Sequence, residues 1–479
     1  MIKKFFIALL LILFVTVLWI GLQTYLSESK QKPVEVSVVP RVEELSIANF
    51  QRLIQYKTVS YDDTTKRDTT QFIGLQKFLE QAYPLVHQHL TRELINSYSL
   101  LYHWPGSDTS LNSVIFIAHL DVVPVEAESI DQWEVDPFAG EVKDGYIWGR
   151  GALDTKINLV SILEATEKLL AQNFKPKHSI YFVFGHDEEN GGDYGAQKIA
   201  HLLQQRNVRA ELISDEGGYV SNDKVPGLQQ RVALVGTAEK GRLTLNLIAQ
   251  IPGGHSSMPV KETAIDILAR SIIKLRSQGF PARITPPMMD FIEYVGPELP
   301  LLQRMAFANR ALFENIIIEK YEDTPVGYAM MHTTVAPTII HAGMKENAIP
   351  AVARAVINLR LLPGDSADYI FNRVKEIISD DRIIVEKITS TEASLVTSPT
   401  SKGYALVEQT IRKTFPGTVV TPFLLIGGTD SKHFNAMANA IIRFSPMLEV
   451  DGFHGINERV SLESYQHALW YYEQLMTEL

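Results

Sequence analysis

The sequence predicts an α/β protein with a mainly parallel central sheet, interrupted by a smaller α+β unit. Three observations carry this. Short, continuous apolar runs such as "SVIFIA" (113–118) and "IYFVF" (180–184) suit strands buried on both faces. Segments with apolar residues at helical spacing alternate with them, giving a βαβα rhythm. That rhythm breaks near Glu239 and returns from Ser401.

The elements follow in order. Lys3 and Lys4 precede "FFIALLLILFVTVLWIGL", eighteen charge-free residues from Phe5 to Leu22. At 1.5 Å per residue this covers about 27 Å, close to a hydrocarbon core of roughly 30 Å. The lysines stay on the cytoplasmic side, which places the rest of the chain outside. A cleaved signal peptide would carry a shorter apolar region and a small-x-small site, which "GLQTYLSES" lacks. The expectation is a cytoplasmic stub at 1–4, a transmembrane anchor at 5–22 and a linker at 23–40. The folded part then divides into 41–237, an inserted unit at 238–399 and a second segment at 400–479.

"ELSIANFQRLIQY", "TTQFIGLQKFLEQAY", "INLVSILEATEKLLAQ" and "GAQKIAHLLQQR" are helical in pattern. In the inserted unit "GRLTLNLIAQ" alternates like a half-exposed strand, and "TAIDILARSIIKLRSQ" and "SADYIFNRVKEIISD" are helices. Between them lies a stretch from Phe280 to His332 rich in Pro, Met and aromatic residues. Its apolar positions in "VGPELPLLQRMAFANRALFENIIIEKY" are expected to pack the inserted unit. The alternative is a face that receives an acyl chain or the membrane surface.

A chain of 479 residues exceeds one average core. With 46% hydrophobic and 21% charged residues it is an ordinary globular protein. A net charge of −10 and a pI of about 5.8 argue against nucleic-acid partners. Cysteine is absent, so any metal is held by His, Asp and Glu.

Three strand-like runs end in such residues: His119 with Asp121, then Asp187, Glu188 and Glu189, then Asp215 with Glu216. Crowded carboxylates raise one another's pKa unless a cation or proton sits among them. One acidic strand end is ordinarily solvated loop. Three in one sheet point to a shared cation, since ligands gather at strand carboxyl ends in open α/β sheets. Asp154, in the glycine-rich turn "WGRGALDTK", adds another acid. Imidazole and carboxylate donors suit zinc, with manganese or cobalt as alternatives. The spread of acids suggests two ions and a bridging carboxylate.

The motifs "AHLDVVP", "WGRGALDTK", "GHDEENGG", "SDEGG", "GGHSSMP", "NAIP", "NLRLLPG" and "GGTDSKHF" occur in the order of M20-type metallopeptidases. From about Arg41 onward the chain resembles their carboxypeptidase S branch and its relatives that hydrolyse or synthesise N-acyl amino acids. The resemblance implies a zinc-exopeptidase-like catalytic domain with an inserted lid or dimerisation domain. It implies metal binding by His119 with Asp215, which the motif favours over the adjacent Glu216, and by Glu189 with His454, Asp154 bridging. Asp121 would orient His119 and Glu188 would be the general base. His255 would stabilise the oxyanion, reaching the site from a homodimer partner or from a closing lid. Asn347 and Arg360 would hold a substrate carboxylate, and Gly428 and Thr429 would line the pocket. His186 and Asp187 receive no role beyond polar neighbours. The implied substrate is a small peptide or an N-acyl amino acid. The alternative from another class is a membrane-tethered binding protein without catalysis.

Overall fold

The computed structural model describes residues 2–36, 38–222, 224–450 and 452–479. Met1 of the expected stub, Ser37 of the linker and Asp451, which opens "DGFHGINE", lie outside the described residues.

The fold is α/β, as its sequence pattern predicts. The large sheet contains β1 (Thr91–Ile95), β2 (Ser99–Trp104), β3 (Ser113–His119), β4 (Ile180–Gly185), β5 (Ala210–Ser221) and β6 (Val232–Glu239). The smaller one contains β7 (Gly241–Gln250), β8 (Thr334–Ala342), β9 (Val352–Leu361) and β10 (Ile383–Thr391), before β11 (Val419–Leu425) and β12 (Ile441–Leu448) return to the first. The large sheet runs β1-β2-β4-β3-β5-β12-β6-β11. Its centre, β4-β3-β5-β12, is parallel. Residues such as Val114, Phe116 and Phe182 are wholly buried there, which the unbroken apolar runs required. The helix α2 (Lys156–Ala171) follows the Asp154 turn directly and shares this core.

The smaller sheet is antiparallel, in the order β8-β9-β7-β10. On β7, Leu243, Leu245 and Leu247 are buried while intervening residues are partly exposed, the period-two signature of a one-sided sheet. Helices Ala264–Gln278 and Ala367–Ile378 cover the buried face. The first starts at a capping box: Thr263 Oγ1 accepts the Asp266 N–H, and the Asp266 carboxylate accepts the Thr263 N–H. The chain crosses between sheets at Lys240 and again beyond Thr391. The crossings are laced by Ser394 N–H on Glu239 O at 3.1 Å and Thr397 N–H on Thr237 O at 2.8 Å.

The stretch expected to pack the inserted unit does something else. It forms a helical arm of α3 (Pro286–Val295), α4 (Leu301–Ala308), α5 (Arg310–Glu322) and α6 (Pro325–Met331), numbered after the N-terminal helix α1 (Ile2–Leu26) and α2. Met288, Phe291, Ile292, Ile317 and Met331 share a core with Val232, Leu234, Val419 and Phe423 of β6 and β11. The arm therefore packs on the edge of the large sheet. Helical periodicity marks which face is apolar and leaves open which surface that face meets.

α1 is almost wholly exposed along its length. Its C-terminal end is held by the arm, and just beyond it Gln31 clasps β11: Val420 N–H donates to Gln31 Oε1 at 2.9 Å, and Gln31 Nε2 donates to Val420 O at 3.1 Å.

Candidate metal centre

β3 delivers His119, β4 opens into the turn carrying Glu188 and Glu189, and the loop before α2 supplies Asp154. His119 Nε2 lies 2.9 Å from Asp154 Oδ1 and 3.3 Å from Glu216 Oε1. On the other side of the same carboxylate, His454 Nε2 lies 2.9 Å from Asp154 Oδ2 and 3.4 Å from Glu189 Oε2. Two donor triads thus share Asp154, one being His119–Asp154–Glu216 and the other Asp154–Glu189–His454.

The expected Asp215 is replaced in this arrangement by Glu216. Asp215 turns the other way: Oδ1 accepts the Glu216 N–H at 2.9 Å and Oδ2 the Ser431 N–H at 2.8 Å. Successive residues of a strand point to opposite faces, so only one of this pair can face His119. β5 also continues through the acids instead of ending at them. Opposite it, Arg443 pairs with Asp215 and Phe444 with Gly218, leaving Glu216 and Gly217 on an irregularity of the ladder.

His119 Nδ1 is 2.9 Å from the backbone carbonyl of Asp121 and 3.5 Å from its carboxylate, so Nε2 is left to face the acids. Asp121 also anchors the glutamates: its carboxylate accepts Ser60 Oγ–H at 2.6 Å and the N–H groups of Glu188 and Glu189 at 3.2 and 3.3 Å. His186 meets Ser99 Oγ at 2.6 Å, and Asp187 accepts the Tyr194 N–H at 2.8 Å. Both stand outside the two triads.

The electrostatics are those of a group built around positive charge. Burial pushes Glu216 up to about 8, with Asp154 adding to it. Burial likewise raises Glu188 well above the carboxylate range, reinforced by Asp430, Glu216 and Glu189. Hydrogen bonds that His454 donates to the Asp154 and Glu189 carboxylates lift it to about 10. Protons therefore compensate the carboxylates when no cation does. Glu189 Oε1 is buried without a hydrogen-bond partner among the described residues, which leaves it a free donor atom. Imidazole and carboxylate donors in two close triads fit divalent metal.

Several contributors escaped sequence reasoning. Buried Glu458 receives Arg150 Nη1 at 2.6 Å and the Leu153 N–H at 2.9 Å, while Arg150 Nη2 reaches His454 O at 3.3 Å. That pair ties the Asp154 turn to the His454 loop. Asp430 has both carboxylate oxygens buried and unpartnered among the described residues. It explains the second glycine of the acidic motif, since a Cβ on Gly192 (φ +74°) would come within 2.0 Å of its Oδ1, whereas Gly191 meets no neighbour and answers to its φ of +104°. Only the wording "DEENGG" hinted at such a close approach.

The substrate-side candidates fall into two groups. The short ladder Gly254–His255 with Ala348–Ile349 sets His255 beside Asn347, whose carbonyl accepts the Ser256 N–H at 3.1 Å. Both are exposed, and His255 Nδ1 lies 2.8 Å from Ser257 Oγ. Arg360 sits apart on β9, paired in register with Arg242 near the crossing. Burial lowers its pKa, with Arg242 adding and Glu239 opposing. Among the described residues none of the three hydrogen-bonds to the triads. Thr429 is buried, its N–H and Oγ1 bonding Glu239 Oε2 at 2.9 and 3.1 Å, while Gly428 is exposed with open space around it.

Imidazole–carboxylate triads around one shared acid, at the strand ends of an α/β sheet, are the site of a metal-dependent hydrolase. The profile of "Peptidase family M20/M25/M40" matches residues 115–478, and the chain belongs to that family. Members of this family use divalent metals, typically zinc. The chain is 38% identical over 475 residues to "Probable carboxypeptidase S-like 2" of Dictyostelium discoideum, covering 96% of this chain and 91% of the relative. It is 38% identical over 432 residues to an N-fatty-acyl-amino acid synthase/hydrolase of Xenopus tropicalis, covering 88% and 83%. Among solved structures, an M20 family metallo-carboxypeptidase from Sulfolobus solfataricus shares the fold at a TM-score of 0.68 and 18% identity, covering 91% of this chain and 99% of that one.

Proposed function

We propose that this hydrolase carries two divalent ions, zinc by the chemistry of its donors, and cleaves the amide that joins an acyl group to an amino acid with a free α-carboxylate. The observation that carries the reading is Glu188: a half-buried carboxyl of raised proton affinity beside two donor triads that share Asp154. His119, Asp154 and Glu216 would hold one ion and Asp154, Glu189 and His454 the other. Divalent metal held there would supply Lewis-acid polarisation of the amide carbonyl and would lower the pKa of water.

The chain's own residues do the rest. Glu188 takes the proton of the attacking water and passes it to the leaving amine, which suits a carboxyl whose surroundings favour its protonated form. Asp121 fixes the His119 ring and the backbone of Glu188 together. Arg360 and Asn347 hold the α-carboxylate, a planar guanidinium being suited to a bidentate grip. His255 steadies the oxyanion after the small sheet swings about the crossings at Lys240 and Thr391. Gly428 leaves space for the substrate beside Thr429.

Seventeen large apolar side chains of α1 are exposed. Each forgoes about 1.5–3 kcal/mol by staying in water, which supports a membrane-spanning anchor with the catalytic part outside. An anchored hydrolase and synthase/hydrolase relatives favour a fatty-acyl over a peptidyl substrate.

The test is release of free amino acid from N-blocked dipeptides and from long-chain N-acyl amino acids, using zinc-loaded full-length protein in detergent. Faster release from the acyl chains is expected; faster release from the peptides makes it a carboxypeptidase. Glu188→Ala should cut turnover by roughly 10²–10⁴-fold with metal content unchanged. Full turnover in that variant removes Glu188 from the mechanism, and silence of the wild type on both sets, with metal bound, leaves a binding protein.

A further inference from the structure

The helical arm has a face that the catalytic reading does not use. α4 runs alongside α1 in the opposite direction. Arg304 Nη2 donates to Ser27 O at 2.5 Å, and five residues on, Asn309 Nδ2 donates to Ile20 O at 3.2 Å and to Thr24 Oγ1 at 3.3 Å. Ile20 belongs to the charge-free run and lies two residues inside its end at Leu22, about 3 Å at helical rise. The exposed aromatics Trp19 and Tyr25 bracket that height, and such rings collect at the membrane–water boundary. The turn between α4 and α5 is thus pinned at the level where α1 leaves the hydrocarbon.

Of the residues that follow, two large apolar ones project on one face of α5, while the exposed Glu314 and Asn315 between them lie on other faces. Leu312 is 57% and Ile316 is 53% exposed, one helical turn apart on the same face of α5. Farther from the turn, Glu319, Lys320, Glu322 and Asp323 are exposed and charged. At the opposite end of α4, Leu302 is 79% exposed near the Arg304–Ser27 contact. A cleft of about 680 Å³ separates α1 from the arm. Trp19, Leu26 and Phe307 line it together with the charged Glu28, Lys30 and Glu293.

We propose that the α4–α5 turn docks on the bilayer that α1 enters, with Leu312 and Ile316 among the acyl chains and Leu302 at the headgroups. This rests on the reading of α1 as an anchor. The occupant is lipid because the turn is bonded to the apolar part of α1 itself, so whatever covers it lies in the plane of the membrane. Docking holds the catalytic sheet at a fixed height and tilt, through α3 on β11, where α1 alone would leave it free to swing.

A chain without cysteine allows single-cysteine labelling with an environment-sensitive NBD fluorophore. Full-length protein in phosphatidylcholine nanodiscs would carry the probe at Leu13, Leu302, Leu312, Ile316 or, as an aqueous control, Tyr369. Lipids bearing doxyl quenchers near the glycerol or near the chain end report depth. The Leu13→Cys probe should be quenched from the chain end. The Leu312→Cys and Ile316→Cys probes should be quenched several-fold more than Tyr369→Cys from the glycerol level, and Leu302→Cys by less. Quenching at Leu13 with Leu312 and Ile316 no different from Tyr369 overturns the docking alone. Absence of quenching at Leu13 overturns the anchor and the docking with it. Unchanged melting temperatures of the labelled variants ensure that the fold is intact.

Discussion

The two triads around Asp154 are built from different materials. His119 stands at the end of a central strand with its side chain 1% exposed, and Glu216 comes from the strand beside it. His454 sits on a loop in a left-handed conformation (φ +55°) with its side chain 52% exposed, and Glu189 comes from a short turn. In the first triad His119 is fixed by the sheet, paired in register with Gly185, while Glu216 stands on the ladder's irregularity between Asp215 and Gly218. The second is held by one buried ion pair, Arg150 with Glu458, that spans 308 residues of sequence. A sheet positions ligands at no added cost in order, whereas a loop must be tied down before it can hold an ion.

The largest effect should come from the strand-built side. Glu216→Ala should lose one metal equivalent and its turnover, a loss beyond the roughly 10–100-fold in affinity that removing an outer partner costs. Asp215→Asn should keep its metal, because that side chain serves two backbone N–H groups. Metal analysis of the two purified variants decides, and the reverse pattern would restore Asp215 as the ligand.

The loop-built side should yield first to a chelator. Titration is expected to remove one equivalent and then a second, with Glu458→Gln weakening the first-lost site by about 10–100-fold and sparing the other. Simultaneous loss of both ions would abolish the distinction between the triads.

A smaller effect concerns protons. Glu216 at about 8 and His454 at about 10 are both protonated at neutral pH in the metal-free protein, so metal uptake must release protons and affinity must rise with pH. Both folded values are raised, Glu216 from 4.5 chiefly by burial and His454 from 6.5 chiefly by its bonds to the acids, so the metal-free fold loses stability as pH climbs from those free values to about 8 and about 10 respectively. Calorimetry in buffers of different ionisation enthalpy measures the release, and melting of metal-free protein across that range measures the stability. A pH-independent affinity would mean that the donors carry no protons to displace.

Much of this was legible in the sequence. The parallel core and the one-sided small sheet follow from strand runs and alternation, whereas the grouping of His119, Asp154, Glu189 and His454 was implied only by the family resemblance of the ordered motifs. The choice between Asp215 and Glu216 did not, because it depends on which face a strand presents and on a ladder irregularity set by a distant partner, Arg443. The Arg150–Glu458 tie was equally hidden, since neither residue carries a local signal. The arm of α3–α6 showed its apolar faces clearly, yet its packing on β11 depended on where the chain re-enters the large sheet.

Gln31 has one more consequence. β11 is the last strand of its sheet, and such a strand offers unpaired backbone groups to any other extended chain. The Gln31 side chain imitates a peptide unit and occupies both the N–H and the carbonyl of Val420. The segment that joins α1 to the body thereby doubles as a stopper, occupying at Val420 the backbone groups through which another extended chain would pair.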